Sequence, residues 1–258
     1  MSHALRTIRA LTKRAMNEIL RTPTGALPGV LAPTIFMLGL TAVFSKSADL
    51  QEFQLVTDDF RAFIIPVGLL QGAGFTGAAT GVNLARDIEQ GWFDRLLVAP
   101  VSRPTLLTGV VLSASLRALL PSTFLLIVAF SIGVDFPGVG GLLIAYALLM
   151  GMAAAMACFA VIVALKFRTQ QAAPLMQMGN FVAVLFTTSY APAALLAGWL
   201  RTISDINPVT HVLEGTRQGF IGDVTWAETW PAFVSMAGLI LVLGALALRS
   251  LNRVGVND

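Results

Sequence analysis

The chain has 258 residues, 56% of them hydrophobic and only 12% charged, with a mean hydropathy of +0.77. Soluble domains carry about 25% charged residues, so this composition excludes an ordinary water-soluble fold, and a chain so rich in apolar residues is not disordered. The single cysteine, Cys158, excludes a disulfide scaffold, and a net charge of only +3, scattered through apolar sequence, argues against a nucleic-acid binder.

What remains is an all-α polytopic membrane protein, read as one transmembrane domain over 1–258. Residues 1–22 place Leu5, Ile8, Leu11, Ala15, Glu18 and Ile19 at helical spacing between five cations. The pattern predicts an amphipathic helix lying on the membrane surface and retained in the protein, with a plain solvated leader as the alternative. Six stretches then reach the roughly 20 apolar residues that a bilayer crossing needs: 25–44, 62–84, 104–130, 139–165, 172–190 and 230–248. The third is interrupted by Arg117 and Pro121, and the fourth carries no charge in 27 residues. Between the fifth and sixth, 191–229 reads as two short amphipathic half-helices parted by Asn207-Pro208, because the residue before proline avoids the helical region.

Six crossings put both termini on one side. Twelve of the seventeen Lys and Arg residues fall on that side and four on the other, while nine of the fourteen acidic residues lie opposite. The positive-inside bias makes the termini cytoplasmic and the location the cytoplasmic membrane.

Enzyme signatures are missing. No phosphate-binding GxxxxGK[ST] surrounds Lys13, Lys46 or Lys166, and there is no HExxH, GxSxG or CxxC. Two histidines, His3 and His211, cannot furnish a His-based metal site. The predicted spans hold no Asp, Glu or His that would suit a proton-coupled carrier. The chain therefore has no evident energy source of its own, and no cofactor or metal is expected on it.

Three groups of residues stand out. Segment 87–98, DIEQGWFDRLLV, mixes charges with large apolar residues and reads as a short cytoplasmic helix ended by Pro100. It suits docking into a groove of another protein, or equally an interfacial helix anchored by Trp92. Ala73, Gly77 and Gly81 recur at intervals of four in the second span and allow close helix approach, either within one subunit or between two. Gln177 and Asn180, with Gln71, are polar side chains inside apolar spans; they line a substrate path or bond helix to helix. Cys158 reads as a small apolar residue, and Glu214 with Arg217 as a helical i, i+3 pair of little energetic weight if exposed.

Glu89, Gly91, Leu96 and Pro100, followed by Arg103, fit the pattern E-x-G-x-x-x-x-L-x-x-x-P. With the six spans, the basic leader and the Asn207-Pro208-x-Thr210 turn, the chain resembles the type-2 ABC exporter permeases, nearest the daunorubicin-resistance type, over its whole length. The resemblance implies a permease paired with a second permease, self-pairing expected over a heterodimer, and with two copies of a separate ATPase that holds ATP and Mg. It implies that 87–98 is the coupling helix, with Glu89, Asp94 and Arg95 as polar rim and Trp92 and Phe93 as apolar anchors. Asp87, Gly91 and Leu96 complete that docking segment. It further implies that the leader is a connector helix and that the half-helices cap the exit. The expected cargo is an amphipathic drug-like compound or lipid. A polysaccharide or glycolipid exporter is the alternative within the class, and an ATP-independent carrier the alternative outside it.

Overall fold

The computed structural model describes residues 5–6, 8–10, 12–14, 17, 27–44, 57, 59–98 and 101–254. The described positions between 5 and 17 are helical, with Ile8 and Thr12 half-buried on one face and their neighbours exposed. Leu11, Ala15, Glu18, Ile19, Pro100 and most of the 45–61 connection lie outside the described residues.

Helices α1 (Leu27–Phe44), α2 (Phe60–Glu89), α3 (Trp92–Val98), α4 (Arg103–Ser131) and α5 (Gly138–Phe167) come first. They are followed by α6 (Ala173–Leu185), α7 (Gly198–Ile206), α8 (Pro208–Ile221) and α9 (Trp226–Arg253). No strand occurs among the described residues. Helices α2, α4, α5 and α9 are long and apolar enough to cross a membrane. Exposed Trp199, Trp226 and Trp230 gather on the segments that follow α6, where amphipathic rings suit a bilayer–water boundary.

Two expected elements differ. The stretch 172–190 is regular helix only over the 13 residues of α6, about 20 Å of rise against a hydrocarbon core of about 30 Å. The cause is local: the Thr187 hydroxyl turns back to donate to the Val184 carbonyl (2.7 Å), and Ser189 donates to the same oxygen. Adjacent hydroxyl residues thus compete with the backbone for its own acceptors. The helix expected over 87–98 is also divided. Helix α2 runs on to Glu89, the chain reverses at Gln90-Gly91 with Gly91 at φ +68°, and α3 begins at Trp92. Gly91 is thus the residue whose missing side chain permits the left-handed turn. Conversely, α4 passes unbroken through Arg117 and Pro121.

Helices α2 and α5 form the centre and make the most extensive helix pair. From Ala62 to Gly74 every residue of α2 is buried, the pattern of a helix enclosed by protein on all sides. Helices α1 and α6 pack on α2, α9 packs on α5, and α4 and α8 each touch both central helices. Lipid solvates a leucine as well as another leucine does, so close packing and hydrogen bonds must hold this arrangement. The small residues supply the packing. A Cβ added to Gly77 would run into the Ala153 carbonyl oxygen and lie 2.9 Å from Met156 Cβ; one added to Gly81 would lie 2.6 Å from the Ala160 carbonyl. Ala73 is fully buried in the same core. Of the two alternatives for this seam, the contacts are those of packing within one subunit.

Candidate functional site

Three polar clusters punctuate the apolar bundle. The first joins α2, α3, the N-terminal helical stretch and the α5–α6 connection. Glu89 accepts from the Thr169 hydroxyl (2.7 Å), from the Gln170 backbone N–H (2.9 Å) and from the Gln170 amide. Arg86 Nε donates to Gln170 Oε1 (3.1 Å). Arg14 pairs with Asp87 at 3.0 Å and lies 4.9 Å from the centre of the Trp92 ring. Glu89, expected in the rim, and Asp87, expected in the docking segment, thus bind their own chain. Phe93, expected as an anchor for a partner, is 5% exposed and packs against Cys158, Leu165 and Leu251. Trp92 is 47% exposed, Asp94 and Arg95 are exposed, and Leu96 is half-buried. Gly91 is exposed as well. The outward face of the segment is therefore Trp92, Asp94 and Arg95.

The second cluster joins α2 and α6. Asn180, fully buried, donates to Gln71 Oε1 (2.9 Å) and to the Gln71 carbonyl (3.2 Å). Gly74 leaves room for it: a Cβ there would overlap the Asn180 amide. Gln71 also borders an apolar cavity of about 200 Å³ whose wall includes Phe36, Phe75, Phe181 and Tyr190. Among the described residues, Gln71 Nε2 and Asn180 Oδ1 are buried with no hydrogen-bond partner. Gln177 is half-buried and is not part of that wall. Gln71 and Asn180 meet; Gln177 stands apart.

The third cluster was not legible as a site. Arg217 is 1% exposed, not a surface residue. Its Nε donates to the Phe63 carbonyl (3.1 Å), its Nη1 to Glu214 (2.7 Å) and its Nη2 to the Thr188 carbonyl (3.0 Å). The guanidinium lies 3.8 Å from the Phe63 ring centre, and Glu214 also accepts from the Thr188 hydroxyl. Nearby, Asn207 caps α8 by accepting from the Val209 N–H (3.0 Å) and donates to the Ala183 and Phe186 carbonyls (2.8 Å each). One arginine and one asparagine thus fasten α8 to α2 and to the end of α6. The sequence held no local signal for this: Thr210, Glu214, Arg217 and Gln218 share one helical face, the pattern of a solvent-facing side.

No group of three or more His, Cys, Asp or Glu that could hold a metal occurs among the described residues. The arrangement is that of a helical membrane bundle with internal polar fasteners, an apolar cavity and one exposed amphipathic tip.

Residues 6–221 match the ABC-2 type transporter family, and the chain belongs to it. It is 26% identical over 212 residues to the "Putative transport permease ycf38" of Cyanophora paradoxa, covering 80% of this chain and 71% of that protein. It is 27% identical over 240 residues to the "Daunorubicin resistance ABC transporter permease protein DrrB1" of Streptomyces coeruleorubidus, covering 92% and 82%. The "Probable multidrug ABC transporter permease YbhR" of Escherichia coli is 27% identical over 192 residues, covering 69% and 50%. The chain is a permease of the ABC-2 type, with drug-resistance permeases among its homologues.

Proposed function

We propose that this chain is the transmembrane subunit of an ATP-driven exporter that moves amphipathic compounds out across the cytoplasmic membrane. The observation that carries the reading is the family match over residues 6–221. In this reading α1, α6 with the segment after it, and the four long helices make six crossings, both termini are cytoplasmic, and α7 and α8 enter the outer leaflet. Two copies of the chain pair, and each docks one ATPase subunit, which binds ATP and Mg. The tip formed by Gly91, Trp92, Asp94 and Arg95 is the docking surface: an exposed ring beside two opposite charges suits a groove on a partner. Glu89 and Asp87 set the angle of that tip by holding it to the α5–α6 connection and to Arg14.

The test is co-purification with a co-expressed ABC ATPase subunit from the same organism. Wild type is expected to retain it, and Trp92→Ala combined with Arg95→Glu is expected to lose it while inserting normally. Retention by the double variant would remove α3 as the docking element. No association with wild type would favour an ATP-independent carrier.

Substrate contact is assigned to the cavity beside Gln71. Its aromatic wall and one buried amide donor suit a flat apolar compound with a hydrogen-bond acceptor. Daunorubicin, which one relative's name carries, is the first compound to test. Gln71→Leu and Phe181→Ala are each expected to weaken drug-stimulated ATP hydrolysis by about tenfold in apparent affinity, the effect of losing about 1.4 kcal/mol of contact. Unchanged affinity in both variants would move the path elsewhere.

A further inference from the structure

A second cavity, of about 120 Å³, lies where α2, α3, α4, α5 and α9 converge with the N-terminal helical stretch. It has no residue in common with the cavity beside Gln71. Thr80 and Arg117 close its deep end, and Arg14, Arg86 and Asp87 stand at its mouth. Asp87 lies seven positions beyond Thr80 on α2, which makes the cavity about 10 Å deep. Leu84, Phe93, Leu107 and Val110 give it apolar sides. Its charged lining is three guanidiniums and one carboxylate, and that carboxylate, Asp87, is paired with Arg14, so the charge set deepest is the cationic Arg117. Arg117 is 5% exposed and donates to the Thr80 hydroxyl. Asn83 also lines the cavity, and its amide makes no hydrogen bond among the described residues.

Apolar sides and a cationic floor define the complement: an anion attached to a short apolar body. The volume is near that of an engineered protein cavity of about 150 Å³ that admits benzene, so a whole two-tailed lipid does not fit inside. We infer that this cavity binds an anionic amphiphile, its carboxylate or phosphate within reach of Arg117 and Asn83 and its first carbons against Leu107 and Val110. The chemistry is shared by a free fatty acid and by the head end of an anionic phospholipid whose tails stay in the bilayer. Because Phe93 belongs to α3 and Asp87 is the partner of Arg14, an occupant would tie the exposed tip to α2 and α4. The site therefore controls how firmly that tip is held. The inference does not rest on transport or on the identity of any cargo.

The test uses the purified full chain in a neutral maltoside, read by Trp fluorescence and by thermal melting. The probes are decanoate, dioleoylphosphatidylglycerol in mixed micelles, and dioleoylphosphatidylcholine as the zwitterionic control. Wild type is expected to bind at least one anionic probe and to melt higher with it, with no comparable effect of phosphatidylcholine. Arg117→Gln is expected to weaken that binding by about tenfold or more, the effect of one charge-assisted hydrogen bond. Val110→Phe, which keeps every charge but fills the space, is expected to abolish it and keeps the test decisive if Arg117→Gln does not fold. Response to decanoate identifies a free amphiphile as the occupant; response to phosphatidylglycerol alone identifies a lipid headgroup. Absence of anion binding by wild type, or equal binding by Val110→Phe, would overturn the inference.

Discussion

Arg217→Ala is expected to lower the melting temperature of the detergent-solubilised protein by on the order of ten degrees. Removing one member of a buried pair leaves the other members desolvated, which typically costs about 3–5 kcal/mol. The Thr188 and Phe63 carbonyls and Glu214 would each lose a guanidinium donor, and Glu214 keeps another side-chain donor, the Thr188 hydroxyl. Against a total stability of about 5–15 kcal/mol, that is a large share. In a protein of this size each kcal/mol moves the midpoint by about 2–4 °C, which gives the figure above. Arg217→Lys keeps the charge but not the planar fork, and three acceptors in three directions cannot all be met by one ammonium. It is expected to melt between wild type and the alanine variant. His211→Ala, on the exposed side of the same helix, is the control and should melt with wild type. Equal melting of wild type and Arg217→Ala would mean that the network does not clamp α8 to α2.

Gly81→Ala is expected to destabilise by about 1–3 kcal/mol, although alanine is the better helix former. The added methyl would meet the backbone of α5 at Ala160, not the mobile end of a side chain, so the two central helices must part. Gly77→Ala should behave alike, because its methyl meets the Ala153 carbonyl. Gly39 and Gly238 provide the contrast. A Cβ at either meets nothing within 4 Å, so alanine there should raise stability by about 0.5–1 kcal/mol, the helix-propensity gain. Thermal melting of the four variants separates the cases by sign. A stabilised Gly81→Ala would show that the α2–α5 seam is looser than the packing described.

The sequence was most readable where physics acts locally. Long apolar runs such as Gly138–Phe167 declare a membrane helix by length alone, and Asn207-Pro208 fixes a corner because proline restricts its predecessor. The four-residue spacing of Ala73, Gly77 and Gly81 announced close packing, but not which helix would fill the groove. Contact partners are a tertiary property. The same limit applies to Glu89: its place in the E-x-G motif was plain, whereas its hydrogen bonds to Thr169 and Gln170, some eighty residues away, were not. Arg217 was misread because spacing at i, i+3 describes a pair equally well on a surface or in a core. Thr187, Thr188 and Ser189 likewise looked like span residues, and only their bonds to Val184 and Glu214 show why the helix stops at Leu185.

Helix α2 carries one fastener near each end. Phe63 receives Arg217 close to its start, and Glu89 grips the α5–α6 connection at its finish. Glu89 stands 26 positions beyond Phe63, about 40 Å of continuous helix. Pro66 is the one proline within it, where the ring removes a backbone hydrogen bond three residues from the Phe63 fastener. Mechanically, α2 is a strut pinned at both ends with its weak joint beside one pin. Between the pins the same helix is held by Asn180 at Gln71 and by the close seam at Gly77 and Gly81, so a sideways load on the Gly91 turn would be shared with α5 and α6 before it reached α8.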